Sequence, residues 1–120
     1  SLLAGLLRCF GPDELSLLIR VLVRATRAMT TPSVPLPELT YHDAIAYFAM
    51  ERPDDPRIVK GALLLQPQDH AQRVVSLFLD AENAPLSDTR GRLYGRCQLV
   101  ERLDEELTAL FDGTELVILE

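Results

Sequence analysis

Residues 73–80, Arg-Val-Val-Ser-Leu-Phe-Leu-Asp, constrain the fold of this chain more than any other stretch. Side chains alternate along a strand, so Val75, Leu77 and Leu79 face one way and Val74 and Phe78 the other, with Ser76 the one polar break in the second face. A strand apolar on both faces needs cover on both. The pattern predicts a central strand in a layered domain, and the other segments must supply the two covers.

A chain of 120 residues makes one domain, or one domain and an arm. At this size about two-thirds of the unfolded surface is buried, so no metal or disulfide staple is required. The two cysteines, Cys9 and Cys97, are too few for a disulfide framework and point to a reducing cytoplasm. No apolar run approaches membrane-spanning length. The apolar opening, Ser1-Leu-Leu-Ala-Gly-Leu-Leu, lacks a basic flank and is not read as a signal peptide. Eleven of the twelve basic residues are Arg, a codon bias that fits a GC-rich bacterial genome.

The net charge of −6 speaks against nucleic acid as a partner, because phosphate binding needs a basic footprint. The charge is unevenly spread. Residues 1–29 hold Arg8, Arg20, Arg24 and Arg27 against Asp13 and Glu14, a net of +2, which leaves −8 for the remaining 91. From Glu101 to Glu120, Arg102 is the only base among seven acids. Such asymmetry steers self-association or an oppositely charged partner, unless it is simply a solvated acidic surface.

Leu2, Leu3, Leu6, Leu7 and Phe10 predict a short helix over residues 2–10, ended by Gly11. Pro12 suits the first position of a second helix, and Asp13 and Glu14 suit its positive dipole end. That helix is predicted to run to about Met29. Its apolar face is wide, and such a helix is either buried from two sides or meets another chain. Its interaction residues are taken as Leu15, Leu18, Ile19 and Leu22, rimmed by Arg20, Arg24 and Arg27, with Leu17 and Val21 on the flank. Pro32, Pro35 and Pro37 make residues 30–39 an extended linker. The expected organisation is a helical arm (1–29), this linker, and an α+β body (40–120).

In the body, Thr40 and Asp43 form a capping-box pattern before a helix over 41–50. Strands are predicted over 58–66, with Gly61 as a bulge, and over 73–80, joined as an antiparallel hairpin by a loop at 67–70. Asp88-Thr89-Arg90-Gly91 suits a tight turn between extended pieces. Further strands are predicted over 96–101 and 115–119, the last apolar on both faces and hence interior, with a helix over 103–111 between them. The fold class is α+β, a mostly antiparallel sheet of about four strands covered by helices, with an N-terminal helical hairpin.

Chemistry is sparsely marked. His42, His70 and Cys97 lack the paired spacing of a zinc site, so no metal and no cofactor is predicted. His42 and Asp43 are helix neighbours and diverge, which does not make a base and its orienter. Arg96 beside Cys97 would lower a thiol pKa, but alternation with Leu99 makes Cys97 a small apolar residue of a strand face. Asp104-Glu105-Glu106 is what a helix start favours. The best ligand candidate is the stretch Arg90, Arg92, Tyr94 and Arg96 around Gly91 and Gly95, a set of anion-binding side chains on a loop. It lacks the following helix of a phosphate loop.

The opening Leu-Leu-Arg-Cys-Phe-Gly-Pro-Asp-Glu-Leu-Ser-Leu-Leu-Ile-Arg (6–20) resembles the start of the effector-associated, death-domain-like helical adaptors of bacterial conflict systems. The resemblance is confined to the N-terminal quarter of the chain and is carried by these fifteen residues. Those adaptors are wholly helical, and residues 57–120 are not patterned that way. The resemblance implies homotypic or partner binding and assigns no residue a role. The leading expectation is a non-enzymatic interaction or adaptor module, a homodimer joined through its N-terminal helices. A small-ligand or anion-binding regulatory domain using Arg90–Arg96 is the alternative, and an enzyme using His42, His70 or Cys97 the third.

Overall fold

The computed structural model describes residues 12–120. The helix expected over 2–10, and with it the first half of the hairpin, lies outside the described residues. Within them the order is α1 (Pro12–Ala25), α2 (Tyr41–Met50), β1 (Lys60–Gln68), β2 (Ala71–Leu79), β3 (Gly95–Val100), α3 (Glu105–Phe111) and β4 (Leu116–Leu119). The four strands form one antiparallel sheet in the order β3-β2-β1-β4. The α+β expectation holds, and the strand predicted over 73–80 is β2, inside the sheet.

Alternation decides the two layers. Val74 and Phe78 of β2, Leu63 of β1 and Val117 and Leu119 of β4 share a face with α2 and α3, through Ala44, Ile45, Phe48, Leu107 and Phe111. Val75, Leu77 and Leu79, with Ala62, Leu64, Leu116 and Ile118, share the other face with Leu22 of α1. Leu15, Leu18, Ile19 and Val23 pack around Leu22. The sheet is therefore sandwiched, with α1 on one side and α2 and α3 on the other.

Gly61 is not a bulge. It pairs regularly with Phe78 on β2 and Leu119 on β4. It lacks a side chain because Phe48 occupies that space: a Cβ there would lie 2.7 Å from the Phe48 ring. The hairpin turn is tighter than the loop predicted, because Gln68 pairs with Ala71 and only Asp69 and His70 turn the chain. Asp69 takes the left-handed conformation such a turn needs, at φ 52°. β4 lies at an edge of the sheet, not inside it as its two apolar faces predicted, although both faces are buried.

Residues 30–39 lie along the sheet. Leu36 N–H donates to the Leu99 carbonyl at 2.9 Å, and Glu101 N–H donates to the Leu36 carbonyl at 2.8 Å. The chain thus passes from the α1 layer to the α2 layer along the outer edge of β3, and it shields that edge from further strand pairing. Thr40 caps α2 by accepting from Asp43 N–H at 3.1 Å. The Asp43 carboxylate does not return the bond. The free donor at the start of α2, Tyr41 N–H, goes instead to Asp104 Oδ2 at 2.9 Å. Asp104 Oδ1 accepts from Leu107 N–H at 2.8 Å and caps α3, so one carboxylate serves two helices.

Candidate functional site

Two places stand out, the outward side of α1 and a groove between α2 and β3. α1 presents the sheet with Leu22, which is 0% exposed, and with partly buried Leu15, Leu18 and Ile19. These four of the residues assigned to an interface therefore lie toward the sheet. Arg20, Arg24 and Arg27 are exposed. The large apolar residues left in solvent are Leu17 and Val21, 60% and 48% exposed. They stand one helical turn apart, with Arg20 and Arg24 on the same arc. A cleft of about 680 Å³ runs along this flank, lined by Leu17, Val21, Arg20, Arg24 and Arg27 among others. Sequence reasoning had put Leu17 and Val21 on the flank. The signal available was their i, i+4 spacing within the arginine stripe.

The position of α1 is set by Arg73, a residue the sequence reading gave no role. Arg73 shares the sheet face of Val75 and Leu77 and is only 8% exposed. Its guanidinium donates to the Thr26 carbonyl (2.8 Å), the Met29 carbonyl (3.1 Å), Thr31 Oγ1 (2.8 Å) and Gln66 Oε1 (2.5 Å). Among the described residues no carboxylate pairs with it. It faces the negative end of α1 through the carbonyls of Thr26 and Met29, which lie in the turn just past Ala25. Thr26 assists by turning its hydroxyl back to the Leu22 carbonyl at 2.9 Å, and there the helix stops, short of the predicted Met29.

The second place is built on the edge strand β3. The register pairs Ser76 with Arg96 and Val74 with Gln98, which puts Ser76, Arg96 and Gln98 on the α2 face. Arg96 lies over the Tyr47 ring, with its guanidinium carbon 4.2 Å from the centroid, and Nη2 reaches the Asp43 carbonyl at 3.4 Å. Burial holds the Arg96 pKa below its ordinary value, opposed by Tyr47 and Asp43. Burial raises the Tyr47 pKa, and Arg96 opposes that shift. Three buried polar atoms on this face have no hydrogen-bond partner: Ser76 Oγ, Arg96 Nε and Gln98 Oε1. Arg96 and Gln98 line a groove of about 290 Å³ with Leu36, Tyr47 and Met50, and Glu38, Asp43 and Glu51 at its rim.

The remaining candidates do not converge. Arg90 and Arg92 are exposed on the turn that Asp88 holds, where Asp88 Oδ1 accepts from both of their N–H groups at 2.8 and 3.0 Å. Tyr94 packs against the α2-side core, leaving Arg96 alone of the four in the groove. His42 is exposed on α2 and His70 on the β1–β2 turn, while Cys97 sits on the α1 side with Sγ 3.8 Å from Thr31 Oγ1. Among the described residues, no three His, Cys, Asp or Glu side chains gather as a metal site. No described helix is long and apolar enough to cross a membrane. The chain matches no protein-family model, no curated protein and no solved structure.

Proposed function

We propose that this protein is a non-enzymatic interaction module that self-associates through the outward side of α1, working in the cytoplasm. The observation that carries it is the ridge of Leu17 and Val21, left in solvent on a helix whose other side is already satisfied by the sheet, and bordered by Arg20, Arg24 and Arg27. An apolar centre with an arginine rim is the composition of a protein contact. Arg73 holds the helix in place from below, so the ridge is a fixed surface. The resemblance of residues 6–20 to homotypic adaptors points the same way. Light scattering at rising concentration is the test: the mass of the wild type should grow, and Val21→Asp should abolish the growth while leaving the circular dichroism spectrum unchanged. A wild type that stays monomeric throughout refutes it.

The unpartnered Arg96 Nε and Gln98 Oε1 favour one second reading, a small-ligand site. A donor and an acceptor lie side by side under an acidic rim, which suits a small zwitterion that offers a carboxylate to Arg96 and an ammonium to Glu38, Asp43 or Glu51. Free amino acids should then raise the melting temperature, and Gln98→Leu should remove the effect. No shift with any amino acid ends that reading.

A further inference from the structure

We infer that the ridge of α1 docks into the groove between α2 and α3 of a second copy of this chain, so that copies stack head to tail instead of closing into a dimer. This rests on the self-association proposed above and names its receptor. Residues 15–37 hold three arginines and no acid, whereas α2 and α3 hold Asp43, Glu105 and Glu106 and no Lys or Arg. The groove, about 540 Å³, is floored by Ile45, Ala46 and Ala49 and walled by Met50, His42 and Glu106. Met50 is 78% exposed, an unbranched apolar side chain in solvent beside two alanines that let a helix approach closely. An apolar helix ridge with flanking cations meets an apolar groove with Glu106 at its wall and Glu105 next to it in the chain, while Asp43 lies toward Arg96 in the other groove.

Topology dictates the rest. α1 lies on the Val75–Leu79 face of the sheet and the groove on the opposite layer, so α1 cannot fill the groove of its own chain. A closed two-fold pairing of α1 with α1 would set Arg20 and Arg24 against their own copies. A ridge on one face and a receptor on the other make a heterologous contact, which leaves one ridge and one groove free in every pair and so extends beyond a dimer.

Two variants of the full chain separate the possibilities by sedimentation velocity. Val21→Asp destroys the ridge, and Ala49→Arg blocks the groove; both positions are exposed. Wild type should form a ladder of species that grows with concentration and shrinks with salt. Each variant alone should be monomeric, its association weakened by about tenfold or more. Mixed in equal amounts, they should form a one-to-one complex and nothing larger, because one intact ridge meets one intact groove. A charge exchange repeats the test without touching apolar packing: Arg24→Glu and Glu106→Arg should each weaken assembly and recover together. Association of Ala49→Arg equal to wild type, or no complex in the mixture, overturns the head-to-tail contact while leaving self-association standing. A wild type that never associates overturns the functional reading itself.

Discussion

Arg73 Nη2 lies 2.8 Å from the carbonyl oxygen of Thr26, a charged donor on the central strand closing the end of the helix that crosses it. This bond and those to the Met29 carbonyl and Thr31 Oγ1 tie the chain leaving α1 to the sheet by more than apolar contact, and a fourth, to Gln66 Oε1, anchors the guanidinium on β1. Arg73→Met keeps much of the side-chain volume and removes every donor, leaving the Thr26 carbonyl with Met29 N–H alone and the Met29 carbonyl without its charged partner. The expected cost is about 3 kcal/mol, the scale of buried bonds to a charged group. Arg73→Lys should fall between, since an ammonium cannot reproduce the fork. Urea midpoints decide it: a Met variant as stable as wild type would mean the apolar contacts alone hold α1.

Gly61→Ala should destabilise although Ala favours neither turn nor bulge. The added methyl meets Phe48 at 2.7 Å in the fully packed layer beneath α2. Overpacking of this kind costs about 1–3 kcal/mol. Adding Phe48→Leu should make the double variant less unstable than the sum of the two singles, because each change relieves the other. Strict additivity in denaturant titrations would show that the ring moves aside freely.

The layers were legible in the sequence because period-two alternation in residues 74–79 states which side chains share a face. The same alternation places Arg73 with Val75 on an apolar face, so a buried charge was there to be read. Its partners were not, since two are main-chain carbonyls of residues 26 and 29, which carry no side-chain signature, and the other two, Thr31 and Gln66, are neutral side chains that only the fold brings to it. Gly61 misled for a related reason: a glycine in a strand marks either a bulge or a close approach, and only Phe48, thirteen residues upstream on another element, decides between them. The β3 groove was half visible. Arg96 was named among the ligand candidates, but the tight turn at Asp88 carries Arg90 and Arg92 away from it. The composition of α1 gave the width of its apolar face and not which strip would remain after the sheet took its share.

Asp104→Ala should cost about twice an ordinary helix cap, near 2 kcal/mol where a single cap is worth about 1. Its two oxygens accept from Leu107 N–H and from Tyr41 N–H, 63 residues away. Asp104→Asn retains one acceptor oxygen and should lose roughly half as much. Hydrogen exchange gives the sharper readout: the Ala variant should lose protection at the first turns of both α2 and α3. Loss confined to α3 would mean that the bond to Tyr41 contributes nothing.

Ser76→Ala should be neutral or stabilising by up to about 1 kcal/mol, the reverse of the usual result in a core. The hydroxyl is fully buried and has no hydrogen-bond partner, so removing it relieves a desolvation penalty and empties little volume. A melting temperature that falls by several degrees would reveal a partner for Ser76 Oγ.

Stability at alkaline pH should carry the signature of Tyr47. Burial raises its pKa above the ordinary 10.0, and Arg96 above the ring opposes that shift. The neutral phenol is therefore the form the fold prefers. The contribution is full below pH 10.0, where the unfolded chain also keeps its proton, and is lost as pH rises through the higher folded value. Tyr47→Phe keeps the ring beneath the Arg96 guanidinium and removes the titration. Plotted against pH, the stability of wild type minus that of the Phe variant should be flat in the neutral range and fall above pH 10.0. A flat difference throughout would mean that Tyr47 ionises in the folded protein as easily as in the unfolded chain, with the ring reached by water.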